Sequence, residues 1–301
     1  MNARLNALPL PVLITAFCLL WSLAFSVGRV GLAYAPPMTL LALRFGLAAM
    51  VAFALAWMGD EEWPRGRALL TLAVVGLVNN ALYLGLSYVG MGHVPSGLTA
   101  VVVSANPILT AVLASLLLEE RLNPRKLLGL GLGVAGVALI LRHRVVAGVD
   151  DAAQLLWPIG ALAALSGGAI LFKLLSRGGA AATSGFAGLA VQLAAAALAM
   201  TGPAWAFEGG LSAIDATPTF WASLLFQVIP ASVAAYWIWF RLLHVCSATA
   251  ASAWHFLMPP LGLLFGWLLL EEKVLWVDLA GIVPVALGIA LVTRATPVKD
   301  Q

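Results

Sequence analysis

PILTAVLASLLLEERLNPRKLLGLGLGVAGVALILR (Pro107–Arg142) has a counterpart in PPLGLLFGWLLLEEKVLWVDLAGIVPVALGIALVTR (Pro259–Arg294), 152 positions further on (259 − 107) and without a gap. Pro107 falls on Pro259 and Leu109 on Leu261, and Leu116-Leu117-Leu118-Glu119-Glu120 falls on Leu268-Leu269-Leu270-Glu271-Glu272. Beyond the acidic pair, Leu127, Gly129, Gly136, Ala138, Leu139 and Arg142 meet Leu279, Gly281, Gly288, Ala290, Leu291 and Arg294. Leucines coincide by chance in any two apolar helices. A proline, an acidic pair and two glycines at fixed spacing do not. Two glutamates closing a helix oppose its dipole, so their recurrence points to a duplicated unit in which they have a use.

Composition says where such a unit lives. The chain has 301 residues, is 62% hydrophobic and only 10% charged, with a mean hydropathy of +1.00, whereas a soluble domain carries about 25% charged residues. The charge collects between apolar stretches of roughly 20 residues, the length that crosses a bilayer as helix. No dyad alternation suggests membrane strands. Cys18 and Cys246 fall near expected helix ends and carry no motif spacing, so they read as small apolar filler. Nothing ahead of the first apolar run reads as a removable signal peptide, and that run is long enough to remain as a span. The basic pI of about 9.1 comes from loop charge and does not require a nucleic-acid partner.

Hydropathy and breakers predict ten transmembrane helices over 9–32, 37–58, 67–90, 95–118, 125–141, 155–175, 183–201, 218–240, 247–270 and 276–294. The breakers are Pro36-Pro37, Trp63-Pro64, Pro95, Asn123-Pro124, Gly178-Gly179 and Pro218. Ten spans place both termini on one side. That side receives Arg4, Arg65, Arg67, Arg121, Arg125, Lys126, Lys173, Arg177, Arg241, Arg294 and Lys299, against Arg29, Arg142, Arg144 and Lys273 on the other. The positive-inside rule makes it the cytoplasmic side. Trp57, Trp63, Trp205, Trp221, Trp267 and Trp276 fall at span ends, as an aromatic belt requires.

The duplicated stretches are then helices 4–5 and 9–10, five spans apart. An odd separation reverses direction, so the expected architecture is an all-α integral membrane protein of two inverted-topology five-helix repeats, 1–145 and 146–301. Inverted repeats give one chain two similar states, one open to each side, with a site near the midplane. One chain supplies both halves, so a monomer suffices.

Leu82–Leu141 (LYLGLSYVGMGHVPSGLTAVVVSANPILTAVLASLLLEERLNPRKLLGLGLGVAGVALIL) resembles the EamA-type repeat of the drug/metabolite transporter superfamily, with its mid-helix proline, closing Glu and Gly-rich helix. YWIWFRLLHVCSATAASAWHFLMPPLGLLFGWLLLEEKVLWVDLAGIVPVALGIALV resembles the second copy, and PPMTLLALRFGLAAM matches the Arg-containing second helix of that family. The resemblance covers nearly the whole chain and is nearest to bacterial amino-acid exporters, including the aromatic amino-acid type. It implies helices 1, 3, 4, 6, 8 and 9 around a central cavity, a location in the bacterial inner membrane, and export of amino acids or related metabolites by alternating access.

Polar groups at membrane depth are costly and face a cavity or another helix. The candidates for a substrate cavity are Trp21, Asn79, Asn80, Tyr83, Ser104, Asn106, Gln227, Trp254, His255 and Met258. Asn and Gln can equally bond a neighbouring helix, the reading given to Gln192. Pro107 and Pro259, which free a carbonyl at matching depths, are candidates for gating or for simple kinks. Arg44 either meets a substrate carboxylate or stabilises one conformation through an acidic partner such as Glu271 or Glu272. Glu119 and Glu271, with their neighbours, are expected to anchor helix ends against Arg121, Lys126 or Lys273.

No Asp or Glu occupies the middle of any predicted span, which disfavours a small-cation antiporter that relies on a buried acid. His255 is the one such group that titrates near neutrality. GLGLGVAGVALIL lacks the Lys-Ser/Thr of a phosphate loop and reads as helix packing. No nucleotide motif, HExxH, hydrolase triad or Cys/His metal cluster is visible, so no cofactor is expected and the chain does not read as an enzyme. A lipid-processing enzyme would have to use Asp150-Asp151 or Asp60-Glu61-Glu62, which read as solvated loop charge. Efflux of toxic organic compounds remains the alternative within transport.

Overall fold

The computed structural model describes residues 9–91, 93, 102–103, 105–141, 152–177, 185–270 and 276–294, which contain helix and no strand. Ser104 and Glu271, with Glu272, Lys273, Arg142, Arg144, Pro95 and Asp150-Asp151, lie outside the described residues.

Prolines start helices, because the first turn does not need their missing N–H. α1 (Leu10–Leu32) has Pro11 in its first turn, and α2 (Pro37–Met58) opens on Pro37. α3 (Arg67–Gly90) follows Gly66, held at φ 54°. α4 (Asn106–Leu117) has Pro107 in its first turn, and α5 (Pro124–Leu141) opens on a proline. After a 3₁₀ turn (Ala152–Leu155) come α6 (Leu156–Arg177) and α7 (Phe186–Phe207). α8 (Pro218–Val245) is capped by Thr217 Oγ1, which accepts from the Phe220 N–H at 3.2 Å. α9 (248–270) is capped by Ser247 Oγ, which accepts from the Ala250 N–H at 3.1 Å. α10 (Trp276–Arg294) ends the described chain.

Six helices among the described residues are long and apolar enough to cross a membrane: α1, α2, α3, α6, α7 and α8. The predicted 183–201 span is longer in the structure, because α7 runs through Pro203 to Phe207. A proline one turn from the end costs a single hydrogen bond and lets the helix finish. The predicted 218–240 span runs on to Val245, with Arg241 and His244 in its last turns, where basic side chains suit the dipole. Cys18 lies inside α1 and is buried, rather than at a helix end. Trp57, Trp205, Trp221 and Trp276 are exposed near helix ends, the arrangement of an interfacial belt.

The chain forms two compact units, residues 1–85 with 171–244 and residues 86–170 with 245–301. In the first, α7 packs on α2 and α3 while α8 packs on α1 and α2. Ala48, Ala52 and Ala56 of α2 and Ala196 of α7 are all buried. In lipid, close approach through such small residues replaces the hydrophobic drive of water. The α2–α7 pair is also tied at both ends. α2 terminates with Asp60 at φ 52°, the Asp60 N–H bonding the Trp57 carbonyl at 3.2 Å and the Glu61 N–H the Ala56 carbonyl at 3.0 Å, the left-handed helix stop. That stop aims the Glu61 carboxylate at the start of α7, where it accepts from the Ala187 N–H at 2.8 Å. Reciprocally Glu208, just past α7, accepts from the N–H groups of Met38 (3.0 Å) and Thr39 (2.7 Å) and the Thr39 hydroxyl (3.0 Å) at the start of α2.

In the second unit α5 packs along α10, and α4 packs on the first turns of α9. Ala111, Val137, Ile140, Phe256, Val285 and Val292 form a core there. A Cβ on Gly129 would lie 2.8 Å from the Gly288 carbonyl and one on Gly136 2.7 Å from the Gly281 carbonyl, so glycine permits the contact at both crossings. Early α5 thus meets late α10, and the two helices run antiparallel. Glu119, at φ 57°, ends α4. The following Glu120 carboxylate then accepts from the Ala248 N–H (2.7 Å) and the Thr249 hydroxyl (2.7 Å) at the start of α9. Glu120 caps α9, while Glu119 supplies the left-handed turn and is exposed.

Candidate functional site

Buried polar side chains gather where the helices depart from α geometry. In the first unit α3 widens to π hydrogen bonding over Leu77–Leu82, and α8 does so over Gln227–Ala234, around Pro230. Such widenings inside helices concentrate at functional sites. In the second unit α4 begins at Asn106-Pro107 after a turn at Ala105, and α9 tightens to a 3₁₀ turn over Trp254–Leu257 ahead of Pro259-Pro260.

Asn79, Asn80 and Tyr83 are fully buried in and beside the π segment of α3. Asn79 Nδ2 donates to Asn80 Oδ1 at 3.4 Å, and Asn79 Oδ1 and Asn80 Nδ2 have no protein partner. Both amide ends of Gln192, on the face of α7 toward α3, are likewise without one. The contact is close because a Cβ on Gly76, one residue before the π segment, would fall onto the Gln192 backbone.

Arg44 is 3% exposed. Its Nε donates to Ser232 Oγ at 2.7 Å, and Ser232 Oγ donates to the Gln227 carbonyl at 2.8 Å. The guanidinium therefore braces the π segment of α8. Gln227 Nε2 donates to Ser223 Oγ at 3.0 Å, which donates to the Val27 carbonyl of α1 at 2.9 Å. This is helix-to-helix bonding, the alternative considered for Gln227. Trp21 stands in an aromatic group with Phe17, Tyr236 and Trp239, at ring-centroid distances of 5.0 to 6.1 Å.

In the second unit Asn106 Oδ1 accepts from Ser166 Oγ of α6 at 2.8 Å and from Thr110 Oγ1 at 3.2 Å. Its Nδ2 has no protein partner. His255, buried in the 3₁₀ turn, donates from Nδ1 to the Ser252 carbonyl at 3.1 Å. Trp254 is half-buried against the core of α5 and α10, Met258 is half-buried, and Pro107 and Pro259 are buried.

The predicted residues therefore sort by unit. Trp21, Asn79, Asn80, Tyr83, Gln227 and Arg44 belong to the first, and Asn106, Pro107, Glu119, Trp254, His255, Met258 and Pro259 to the second. Sequence reasoning passed over Ser232, Ser166, Thr110 and Ser223, hydroxyls that orient those amides and the arginine. For Ser223, Ser232 and Thr110 the available signal was a spacing of four or five residues from Gln227 or Asn106 on the same helix; Ser166, sixty positions from Asn106 on α6, carried none. Sequence reasoning passed over Glu208 as well, and its reading of Glu61 as solvated loop charge is corrected: that carboxylate is half-buried and bonds the Ala187 N–H at the start of α7.

The chemistry of these groups is to bind and orient. Amides, hydroxyls, indoles and one imidazole supply hydrogen bonds, and the six long apolar helices contain no Asp or Glu. No group of three His, Cys, Asp or Glu side chains able to hold a metal occurs among the described residues.

Apolar helices of this length, with buried amides at their irregular turns, define a multi-pass helical membrane protein. The sequence model of the EamA-like transporter family matches this chain twice, over residues 10–142 and 154–294. The chain belongs to that family and is a membrane transporter. It is 27% identical to the uncharacterized transporter YvbV of Bacillus subtilis (strain 168), over 93% of this chain and 90% of that protein. It is 26% identical to the uncharacterized transporter YoaV of the same organism, over 93% and 95%. A solved crystal structure matches 94% of this chain and 96% of its own with a TM-score of 0.79 at 17% identity, which shows a shared fold.

Proposed function

We propose that this chain is a secondary transporter or facilitator that exports amino acids, or related neutral or zwitterionic metabolites, across the bacterial inner membrane. It works by alternating access between two inverted five-helix repeats, residues 1–145 and 146–301, with both termini in the cytoplasm, and one chain suffices. The observation that carries the substrate class is the pair of buried amides Asn79 and Asn80 in α3, a helix that offers no carboxylate to an organic cation. An uncharged hydrogen-bonding site suits a solute with both donors and acceptors and an apolar side chain.

Two observations support inversion. Under the 152-residue shift Gly129 corresponds to Gly281 and Gly136 to Gly288, yet in space Gly129 faces Gly288 and Gly136 faces Gly281. That exchange is what a two-fold axis between antiparallel copies produces. The reciprocal caps Glu61-to-α7 and Glu208-to-α2 follow the same logic.

The test is uptake of radiolabelled aromatic and aliphatic amino acids into liposomes holding the purified protein, with and without an imposed pH gradient. Saturable flux without a gradient is the result expected of a facilitator. Flux that follows the gradient moves His255 to the centre of the mechanism. Absence of flux for every amino acid overturns the substrate class.

A further inference from the structure

Asn106 is 1% exposed and lies at the first turn of α4. Both acceptor positions of its Oδ1 are in use, one taken by Ser166 Oγ at 2.8 Å and the other by Thr110 Oγ1 at 3.2 Å. Two hydroxyls that could have satisfied themselves on their own helix carbonyls instead hold this one amide in a fixed rotation. The consequence is a rigid –NH2 with no protein partner. A buried donor left without a bond is a rare and unfavourable feature, and here the fold supplies two further side chains to keep it so oriented.

The proline-containing turn does not need that amide. In the other copy of the duplicated segment the equivalent residue is Met258 (106 + 152), directly ahead of Pro259, and an apolar side chain serves there. The donor is therefore present in one copy only. α4 packs through Ala111 and Ile108 against Phe256 and Trp254 of the 3₁₀ turn in α9, so the amide and an aromatic, apolar segment belong to one helix pair.

We infer that Asn106 Nδ2 is a substrate-recognition donor, which bonds an acceptor oxygen, carboxylate or carbonyl, of the transported solute and discriminates against amines that lack one. Ser166 and Thr110 are positioning residues that set the rotation of the amide. This inference rests on the amino-acid reading above and specifies which group of the solute is read.

The experiment measures [3H]leucine uptake by the full-length protein in liposomes, with competition by leucine, by leucinamide, which keeps a carbonyl oxygen, and by 3-methylbutylamine, which has none. Wild type should take leucine and leucinamide at comparable concentrations and the amine about tenfold more weakly, the worth of one good hydrogen bond. Asn106→Leu should bring the three competitors together by weakening leucine and leucinamide while sparing the amine. Ser166→Ala, which loosens the amide without removing it, should narrow the gap by about half on a logarithmic scale and serves if Asn106→Leu does not yield monodisperse protein. Equal weakening of all three competitors indicates a merely structural residue and overturns the inference. So does a gap that survives in both variants, or wild-type leucine uptake that the amine inhibits as well as leucine does. Leucinamide failing with the amine restricts the acceptor to carboxylate and supports the inference. Where leucine is not taken up, phenylalanine, phenylalaninamide and 2-phenylethylamine replace the three compounds, and uptake of neither amino acid overturns the amino-acid reading and this inference with it.

Discussion

Arg44 shows what a permanent charge does inside an apolar helix. A guanidinium cannot neutralise itself by losing a proton, so its surroundings must supply acceptors. The sequence left two readings open, a substrate carboxylate or an acidic partner. The structure places a hydroxyl against it, Nε to Ser232 Oγ at 2.7 Å. That hydroxyl donates in turn to the Gln227 carbonyl at 2.8 Å, within the π segment where the normal helical ladder is displaced. The arginine and the irregular turn stabilise one another. Ser232→Ala should therefore lower the thermal midpoint of the detergent-solubilised protein, by the equivalent of about 1.5–3 kcal/mol for a buried hydrogen bond to a charged group. Arg44→Lys should cost a similar amount, since an ammonium lacks the planar Nε geometry, and the double variant should be little worse than either single one, because both break one linkage. Additive losses in the double variant would mean that the two residues act independently.

Caps account for how the helices are placed. The repeated acidic pair divides its work. Glu119, in left-handed conformation, turns the chain; Glu120 reaches the first turn of α9 and bonds the Ala248 N–H and Thr249 hydroxyl. Asp60-Glu61 repeats the division at the end of α2. A carboxylate that is unfavourable at its own helix C-terminus is thus favourable at the N-terminus of another helix. Glu120→Ala should destabilise the protein by about 1–2 kcal/mol, the cost of a lost N-cap, while Glu119→Gly should leave the thermal midpoint within a degree or two, since glycine adopts the turn freely. A larger loss at Glu119 than at Glu120 would reverse the assignment. Much at this scale was legible in advance. Pro37, Pro124 and Pro218 mark helix starts because the missing N–H is harmless only there, and Pro107 and Pro259 marked irregular depth. The π segment at Leu77–Leu82 was not legible, since no proline announces it, and neither was the close approach of α7 at Gly76 just ahead of it, which is tertiary. Nor could spacing alone say which glutamate of a pair would cap, because that depends on one left-handed dihedral. Asn106 was visible as a polar residue at depth, but the hydroxyls that fix its rotation come in part from α6, sixty positions away.

At the scale of the molecule, the sequence repeat and the packing divide the chain differently. The duplicated segments lie in opposite halves of the sequence, whereas each compact unit takes helices from both halves, α2 with α7 in one and α5 with α10 in the other. The contacts that would have to be broken to separate the halves are the close ones. They include Gly129 against Gly288 and Gly136 against Gly281, and the caps from Glu61, Glu208 and Glu120, each of which crosses between the halves. A half expressed alone keeps its helices, because apolar segments of this length insert one by one. It loses the partner for every one of these surfaces, and leaves the Glu61, Glu120 or Glu208 carboxylate with no helix N-terminus to bond. Residues 1–145 alone, or 146–301 alone, should therefore elute as aggregate on size exclusion in mild detergent. The two halves expressed together, with a tag on one only, should co-purify as a single monodisperse species that regains substrate flux. Gly129→Leu should abolish that co-purification, and Gly131→Leu, which points where nothing lies within 4 Å, should not. Either half behaving as a stable monodisperse protein by itself would show that the close contacts between the halves are dispensable, and that each repeat completes its own packing.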